Sequence, residues 1–398
     1  MRQRLRPACA GWAIFEVLHN LEWHNMDASC ATVRLARLTL KIILVLFLAF
    51  WNGHRPLQAE VNLTAQELED SIRFWSPSQK VRIKFGEKIE FLGYDLTLLA
   101  SQPMELTAAA PEFGHNDKFR ITYYWRPLQE VDGKYQALIR FKGKYGNFNN
   151  DHLIGNRAIL HQPQRGQEVG KTLYSTYTTD QWKIGEVVKE GYEVTVPIGI
   201  GPGLYQMQIE VVGANNDYVK GEFVKFGNFS IVSRPFASQL EDDLLQRLFG
   251  PNIWNIKRGI TLGPGSVVAI ELEDVPPSKG LGIISYTNWS GDIWQDKRIV
   301  QLIVEDEKGK EFMYGLKQGV DTASAWIDNP KERGRFQHHK AKVATSRPVR
   351  RGNAGFQAHT YYTRVDFSEV SKPAKLTLIY TDPEGIIIIQ AIVLITPG

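Results

Sequence analysis

The chain has 398 residues, with 47 Lys and Arg, 43 Asp and Glu and 9 His, and a formal net charge of +4. A charge this close to balance does not support a nucleic-acid-binding protein that relies on overall attraction. Both cysteines, Cys9 and Cys30, lie near the N-terminus, so a disulfide framework and thiol chemistry are excluded for the rest of the chain.

The first predicted element is an export signal around the apolar run Leu38–Trp51. Arg37 and Lys41 provide the basic side, the uninterrupted apolar part Ile42–Trp51 has ten residues, and Ala59 offers a small residue for cleavage. A membrane-spanning helix needs about 20 apolar residues. The sequence therefore predicts a secreted protein, periplasmic or extracellular. A chain that stays membrane-anchored through an uncleaved segment is the alternative.

Cleavage of the signal after Ala59 would remove the net positive charge of the chain. Residues 1–59, the N-terminal extension and signal, hold 7 of the 47 Lys/Arg and 3 of the 43 Asp/Glu, which leaves 40 of each sign. Met26 stands where a shorter signal would begin, and we expect translation to start there. The remaining chain is long enough for two domains of roughly 100–200 residues each.

Short runs of alternating apolar and polar residues begin at Val81, between glycine, proline and asparagine clusters. Tyr135–Phe141 and Leu204–Val212 alternate most regularly. Because no amphipathic helix separates these runs, they predict antiparallel sheets with one face in water, packed as a β-sandwich. This first domain is expected over residues 60–235.

One helix is predicted, in a linker over residues 236–258. Ser238 and Glu241 have the spacing of a capping box, and Gly250-Pro251 would end the helix. Leucines form an apolar stripe that must pack on a neighbouring surface: Leu240, Leu244, Leu245 and Leu248. The helix is therefore interpreted as a semi-rigid joint between two domains.

Strand patterns resume at Ser266, and a second, jelly-roll-like sandwich is expected over residues 259–398. Its last strand, Ile386–Ile395, is apolar on both faces, which predicts a central strand covered on each side. The predicted fold class is thus all-β, with two antiparallel sandwiches, Ig-like or jelly-roll-like, joined by a short amphipathic helix after an N-terminal signal or anchor.

Spaced motifs in the first sandwich carry a family resemblance: FGEKIEFLGYDL (Phe85–Leu96), ITYYWRPL (Ile121–Leu128), TTDQWKIGEVV (Thr178–Val188) and GPGLYQMQI (Gly201–Ile209). Together, residues 85–212 resemble the extracytoplasmic β-sandwich module of bacterial membrane proteins of the dolichyl-phosphate-mannose mannosyltransferase type. The multi-spanning catalytic part of those transferases has no counterpart in this sequence, so the resemblance implies a sandwich module and not glycosyl transfer.

The second half is similar to the jelly-roll-like domains of bacterial envelope proteins. The likeness covers residues 260–398 and is carried by WIDNPKERGRFQHHKAKVATSRPV and GFQAHTYYTRVDF. It implies a fold and a cell-envelope setting, with no residue roles.

The leading ligand-binding candidate is the loop TNWSGDIWQDK between two predicted strands. Trp289 and Trp294 offer flat faces that stack on sugar rings, and Asp292 and Asp296 offer acceptors for hydroxyl groups. The alternative is that both tryptophans cap the hydrophobic core, since Trp is usually buried, and the same alternative is favoured for Trp182. No cofactor is expected, except that the two aspartates suggest a structural calcium.

A basic run provides the remaining candidates. Lys331–Arg351 holds eight Lys/Arg against one acidic residue. Arg333 and Arg335, with His338 beside them and Trp326 just before, would contact an anionic polysaccharide or a lipid phosphate. The alternative is a solvated loop, the usual role of a charge run.

Enzyme signatures find little support in the sequence. At most one of His338 and His339 could join His359 on a metal, because adjacent strand residues point to opposite faces. The sequence contains neither H-E-x-x-H nor G-x-S-x-G. The glycine-rich segment GIGPG, residues 199–203, precedes a strand and is interpreted as a turn, not a phosphate cradle. A non-enzymatic protein is therefore expected.

These features favour an exported, non-catalytic protein that binds a glycan or another envelope component, as an accessory to surface-polysaccharide assembly. Its expected partners include proteins of a membrane-associated assembly and exclude nucleic acid. Two alternatives stay open. One is a structural or scaffolding subunit that contacts only proteins, and the other is a hydrolase with a dispersed carboxylate site.

Overall fold

A computed structural model describes residues 76–99, 104–106, 111–159, 174–213 and 222–398. The predicted signal or anchor segment and most of the lead-in to the first sandwich lie outside these residues. Within the described part, no helix is long and apolar enough to cross a membrane.

The first half of the described chain consists of short strands. In chain order they are β1 (Gln79–Phe85), β2 (Ile89–Leu98), β3 (Met104–Leu106), β4 (Glu112–Gly114), β5 (Lys118–Pro127), β6 (Tyr135–Gly143), β7 (Gly146–Asn149), β8 (His152–Leu153), β9 (Ala158–Ile159), β10 (Tyr174–Ser175), β11 (Val188–Thr195), β12 (Gly203–Gly213) and β13 (Val224–Val232). A 3-10 turn, Thr179–Gln181, lies between β10 and β11.

These strands form two sheets that enclose one hydrophobic core. The first sheet has the order β1-β2-β5-β11-β9-β10 with β3 beside β2, and the second has β4-β13-β12-β6-β7 with β8 beside β6. The inward residues expected in Tyr135–Phe141 and in Leu204–Val212 are buried in this core. Trp182 is also buried there, at 6% exposure, which confirms its assignment to the core.

The second half contains one helix and a second pair of sheets. Its elements are β14 (Phe236–Ala237), α1 (Asp242–Phe249), β15 (Ile253–Asn255), β16 (Arg258–Leu262), β17 (Val267–Glu271), β18 (Ser278–Asn288), β19 (Arg298–Asp306), β20 (Glu311–Lys317), β21 (Val343–Arg351), β22 (Ala354–Ser371), β23 (Pro373–Tyr380) and β24 (Ile386–Ile395). The sheets have the orders β14-β16-β24-β18-β22-β21, with β15 beside β24, and β17-β23-β19-β20. The predicted all-β class with antiparallel sandwiches is confirmed.

The prediction of a central strand covered on both sides is confirmed for β24. It pairs with β16 on one side and β18 on the other, and all but one of its ten residues are buried. A break in the register opposite Ile284 and Ser285 switches which residues face inward. Four side chains enter the core between the sheets: Ile387, Ile389, Ile392 and Leu394.

The outer face of β24 is covered by other parts of the chain. Ala391 and Val393 pack against α1 through Leu245 and Phe249, so the predicted leucine stripe does find a partner surface. Near the start of β24, isoleucines on the outer face pack on a tyrosine of the first sandwich.

The predicted capping box is wrong. The N-cap of α1 is Glu241, and no side chain caps the helix. The Ser238 hydroxyl accepts a hydrogen bond from the Leu240 N–H at 3.4 Å instead. The reason is the preceding strand pairing, which continues through the hydrogen bond from the Ser238 N–H to the Lys257 carbonyl and so keeps Ser238 outside the helix. Gly250 ends the helix as predicted, with a φ of 92° that favours glycine.

The turn between β11 and β12, in the first sandwich, forms hydrogen bonds to the second sandwich. Its Ile198 carbonyl accepts a hydrogen bond from Thr261 Oγ1 at 2.7 Å, and its Gly199 carbonyl accepts one from Asn288 Nδ2 at 3.1 Å. The glycine-rich segment is thus a turn, as predicted, and its carbonyl groups face protein donors.

Close packing at this junction requires a glycine. A Cβ atom on Gly201 would lie 2.6 Å from Tyr145 Cβ and 2.7 Å from Ile386 Cγ2. Tyr145 is buried against Ile386 and Ile388, the isoleucines on the outer face of β24. The two sandwiches are therefore packed against each other at this junction, through a small cluster of buried side chains between their cores.

Candidate ligand-binding groove

A groove of about 1060 Å³ opens beside the junction of the two sandwiches. It is formed by the β6–β7 and β11–β12 turns, the β18–β19 and β23–β24 loops, the segment that precedes β21, and the end of β21. Its lining includes the side chains of Lys144, Tyr145, Trp289, Asp292, Trp326, Glu332, Arg335, Phe336, Arg350, Arg351 and Glu384.

The tryptophans of the β18–β19 loop do not cap the core. Trp289 is 48% exposed and Trp294 is 65% exposed, so the core-capping interpretation is wrong for both. Ile293, between them, is only 1% exposed and contributes to the core of the second sandwich. Because Ile293 anchors the loop, the two indoles are left at the surface.

Trp289 has an unusual backbone conformation. Its φ is +51°, in the left-handed region that a bulky side chain rarely adopts. A Cβ atom built on Gly146 would lie 3.1 Å from Trp289 Cη2, so the far edge of the indole reaches the β6–β7 turn of the first sandwich. Left-handed conformations of this kind cost about 1–3 kcal/mol and concentrate at functional sites.

His338 does not line the groove. It is buried and forms a hydrogen bond to the β18–β19 loop. Its Nδ1–H donates to the Ile293 carbonyl at 3.0 Å, and its Nε2 accepts from the Ser324 N–H at 3.2 Å and from Gln318 Nε2 at 2.7 Å. These partners fix the neutral Nδ1–H tautomer. Burial lowers the pKa of His338 below its ordinary value of 6.5. His338 therefore supports the site by joining two segments of its wall.

Trp326 forms part of another wall. It is half-buried and packs on Phe356, with ring centroids 5.3 Å apart. The guanidinium of Arg351 lies 5.6 Å from the centre of the Trp326 ring and also pairs with Glu332 at 3.4 Å. The indole is thus held against the β21–β22 hairpin.

The turn after Trp326 is fixed by a buried histidine. Asp328 Oδ2 lies 2.7 Å from His359 Nε2 and 2.7 Å from Lys340 Nζ, and these partners lower the pKa of Asp328 against the opposing effect of its partial burial. His359 Nδ1 also lies 2.8 Å from the Ser346 hydroxyl. His359 therefore connects β21, β22 and this turn.

The structure brings half of the predicted site residues together. Trp289, Asp292, Trp326 and Arg335 line the groove. Three other candidates are exposed side chains outside its lining, and a fourth is buried beneath it: Trp294, Asp296 and Arg333, and His338.

Sequence reasoning missed the contribution of the first sandwich. Lys144 and Tyr145 line the groove although they precede Trp289 by more than a hundred residues. A basic side chain and a tyrosine in a tight turn carry no local signal of a binding role. The contact between the two sandwiches brings this turn to the groove.

The part of the chain that the structure describes contains no group of three or more His, Cys, Asp or Glu side chains that could hold a metal ion. Asp292 and Asp296 are both exposed and belong to no such group.

Comparisons with known proteins assign no family. No family model matches the sequence, and no curated protein is similar to it. The solved structure of a Niemann-Pick type C2 protein from Japanese carpenter ant covers 37% of this chain and 94% of its own, with 9% identity and a TM-score of 0.23. The C-terminal domain of wzt covers 39% of this chain and 81% of its own, with 11% identity and a TM-score of 0.22.

A third similarity spans more of the chain. The CBM22-1-CBM22-2 tandem domain of Paenibacillus barcinonensis Xyn10C covers 79% of this chain and 97% of its own, with 7% identity and a TM-score of 0.15. At these identities and TM-scores, the similarities assign neither a family nor a ligand.

Proposed function

We propose that this protein is an exported, non-catalytic glycan-binding protein and that the groove beside the junction is its binding site. The observation that carries the proposal is the placement of Trp289 and Trp326 in the lining of one groove. Indole faces bury the apolar faces of sugar rings, and glycan-binding sites use this arrangement because it recognises a ring without enclosing it.

Polar groups for the sugar hydroxyls lie beside the two indoles. Asp292 offers carboxylate oxygens as acceptors, and Arg335 offers N–H donors. A mixture of aromatic faces and a few convergent polar groups is typical of small-ligand sites. The groove therefore has both kinds of contact that a sugar needs.

The site is formed before any ligand arrives. Ile293 and His338 anchor the Trp289 loop, and Phe356 and Arg351 hold Trp326. A ligand that meets ordered side chains loses less free energy to their immobilisation, which favours binding.

Features of the sequence support the cellular part of the proposal. The apolar run Leu38–Trp51 has the form of an export signal. The resemblances to an extracytoplasmic module and to envelope jelly-roll domains point to the same setting. We accordingly place the protein in the periplasm or outside the cell, with a glycan or another envelope component as ligand and proteins of a membrane-associated assembly as further partners.

A glycan array with tryptophan variants tests the proposal. We expect the wild-type protein to retain a defined set of glycans, and Trp289→Ala and Trp326→Ala to lose them. Trp254→Ala is a matched control, because Trp254 is 47% exposed against 48% for Trp289 and does not line the groove. The proposal is wrong if the wild type retains no glycan, or if Trp254→Ala loses binding equally. Co-purifying proteins without any glycan would favour the scaffold alternative.

A further inference from the structure

The charged side chains of the groove fall into a paired and an unpaired set. Glu384 lies 3.6 Å from Lys144, and Glu332 lies 3.4 Å from Arg351. These two acids are therefore matched by basic groups of the protein, and they do not oppose the approach of an anion.

Two arginines of the groove belong to the unpaired set. Arg335 and Arg350 line the groove and are exposed, and neither side chain forms an ion pair or a hydrogen bond with any residue that the structure describes. Asp292 is the groove acid that likewise has no ion-pair partner among the described residues. Unpaired guanidinium groups thus outnumber unpaired carboxylates at this site.

The two arginines belong to different walls. The main chain of Arg335 is held by its N–H, which donates to the Glu332 carbonyl at 2.8 Å, and a Cβ on Gly291 would lie 3.8 Å from Arg335 Cβ. Arg335 is therefore next to the Trp289 loop. Arg350 pairs with Gly355 in the β21–β22 hairpin and precedes Arg351, whose guanidinium lies 5.6 Å from the centre of the Trp326 ring. Arg335 is thus close to the loop that carries Trp289, and Arg350 belongs to the hairpin that contacts Trp326.

We infer that the groove takes an acidic glycan, whose oxyanion groups bind Arg335 and Arg350 while its sugar rings stack on Trp289 and Trp326. This inference rests on the proposed function and specifies its ligand. A guanidinium presents N–H donors in a planar fork that matches carboxylate, phosphate and sulfate groups. A neutral glycan would stack on the indoles, but it would offer no oxyanion to either guanidinium group.

Matched acidic and neutral oligosaccharides test separately whether the groove binds a glycan and whether it prefers an acidic one. The probes are hexuronic acid oligosaccharides and their methyl esters, which have the same ring faces without the charge, together with phosphorylated and sulfated neutral oligosaccharides. We expect the wild-type protein to bind at least one acidic form more tightly than its neutral counterpart. The preference should shrink as salt is added, because salt screens exposed charges.

Arginine variants assign the preference to the groove. Arg335→Gln and Arg350→Gln should each weaken binding of the acidic form about 10-fold to 100-fold, as expected for a hydrogen bond between charged groups, and should weaken binding of the neutral form, which has no oxyanion, much less. Arg333→Gln is the control, because Arg333 is an exposed arginine of the same segment that does not line the groove. Melting temperatures equal to that of the wild type would show that all three variants fold.

The outcomes distinguish failure of the acidic ligand from failure of glycan binding. If every neutral form binds as tightly as its acidic counterpart, or if Arg333→Gln weakens acidic binding as much as Arg335→Gln, the acidic ligand is refuted while glycan binding stands. If neither form binds, the proposed function fails and the inference fails with it.

Discussion

At the scale of single residues, the backbone of Trp289 allows a direct measurement of strain. Alanine normally stabilises a chain relative to glycine by roughly 0.5–1 kcal/mol. At a φ of +51° the order should reverse, because glycine adopts this conformation without steric cost. We expect Trp289→Gly to be more stable than Trp289→Ala by about 1 kcal/mol, measured by urea unfolding. The same pair at Trp254 should keep the normal order, and a normal order at both positions would contradict strain at Trp289.

A second residue-scale effect is the pH dependence caused by His115. This histidine donates from Nε2 to the Ile200 carbonyl at 2.9 Å, and its buried Nδ1 has no hydrogen-bond partner among the residues that the structure describes. Burial lowers the pKa of His115 from 6.5 to about 4. Since the unfolded chain takes up the proton first, the stability from neutral His115 is complete above pH 6.5 and is lost as the pH falls toward 4.

Unfolding at two pH values tests this effect. A pKa difference of this size corresponds to roughly 3 kcal/mol of unfolding free energy. His115→Gln should therefore be less stable than the wild type at neutral pH but lose less stability on acidification. His339→Gln, at an exposed histidine, should follow the wild-type pH profile. Parallel profiles for His115→Gln and the wild type would show that another group causes the acid sensitivity.

At the scale of elements, strand patterns and the end of α1 were predictable, and the start of α1 was not. The alternation in β6 corresponds to burial on one face and the apolar run of β24 to burial on both, because a strand's side chains alternate between its faces. β12 follows the alternation as far as Ile209, but Glu210 and Val212 on its other face are buried as well. The start of α1 was mispredicted, because pairing between β14 and β16 holds Ser238 outside the helix. Local sequence favoured the earlier cap, and tertiary pairing overrode it.

The β11–β12 turn gives a prediction at this scale. Gly199 and Gly201 occupy the same turn, but a Cβ on Gly201 would lie 2.6 Å from Tyr145, whereas a Cβ on Gly199 would come no closer than 3.9 Å to its neighbours. We expect Gly201→Ala to destabilise the protein by about 1–3 kcal/mol through overpacking. Gly199→Ala should change the unfolding free energy by less than about 0.5 kcal/mol. Equal melting temperatures for the two variants would show that the junction yields to the extra methyl group.

At the scale of the whole molecule, the site depends on an arrangement that the sequence does not encode locally. The aromatic loop and the basic run could be recognised by composition, and Trp289, Asp292, Trp326 and Arg335 do share one groove. Which members of each segment face the groove could not be predicted, because Ile293 and His338 decide the orientation of the loop from within the core. The wall from the first sandwich follows from contact between two sandwiches whose contacting residues are distant in sequence.

This arrangement predicts how a bound glycan protects the molecule. Because Lys144 and Tyr145 line the groove with the loop of Trp289, a ligand should slow amide hydrogen exchange in the β6–β7 turn as well as in the second sandwich. The β1–β2 turn, none of whose residues lines the groove, should exchange at the same rate with and without ligand. The measurement is hydrogen exchange followed by mass spectrometry at saturating glycan. Protection confined to the second sandwich would place the ligand on the Trp326 wall alone, and the first sandwich would then contribute no contacts to binding.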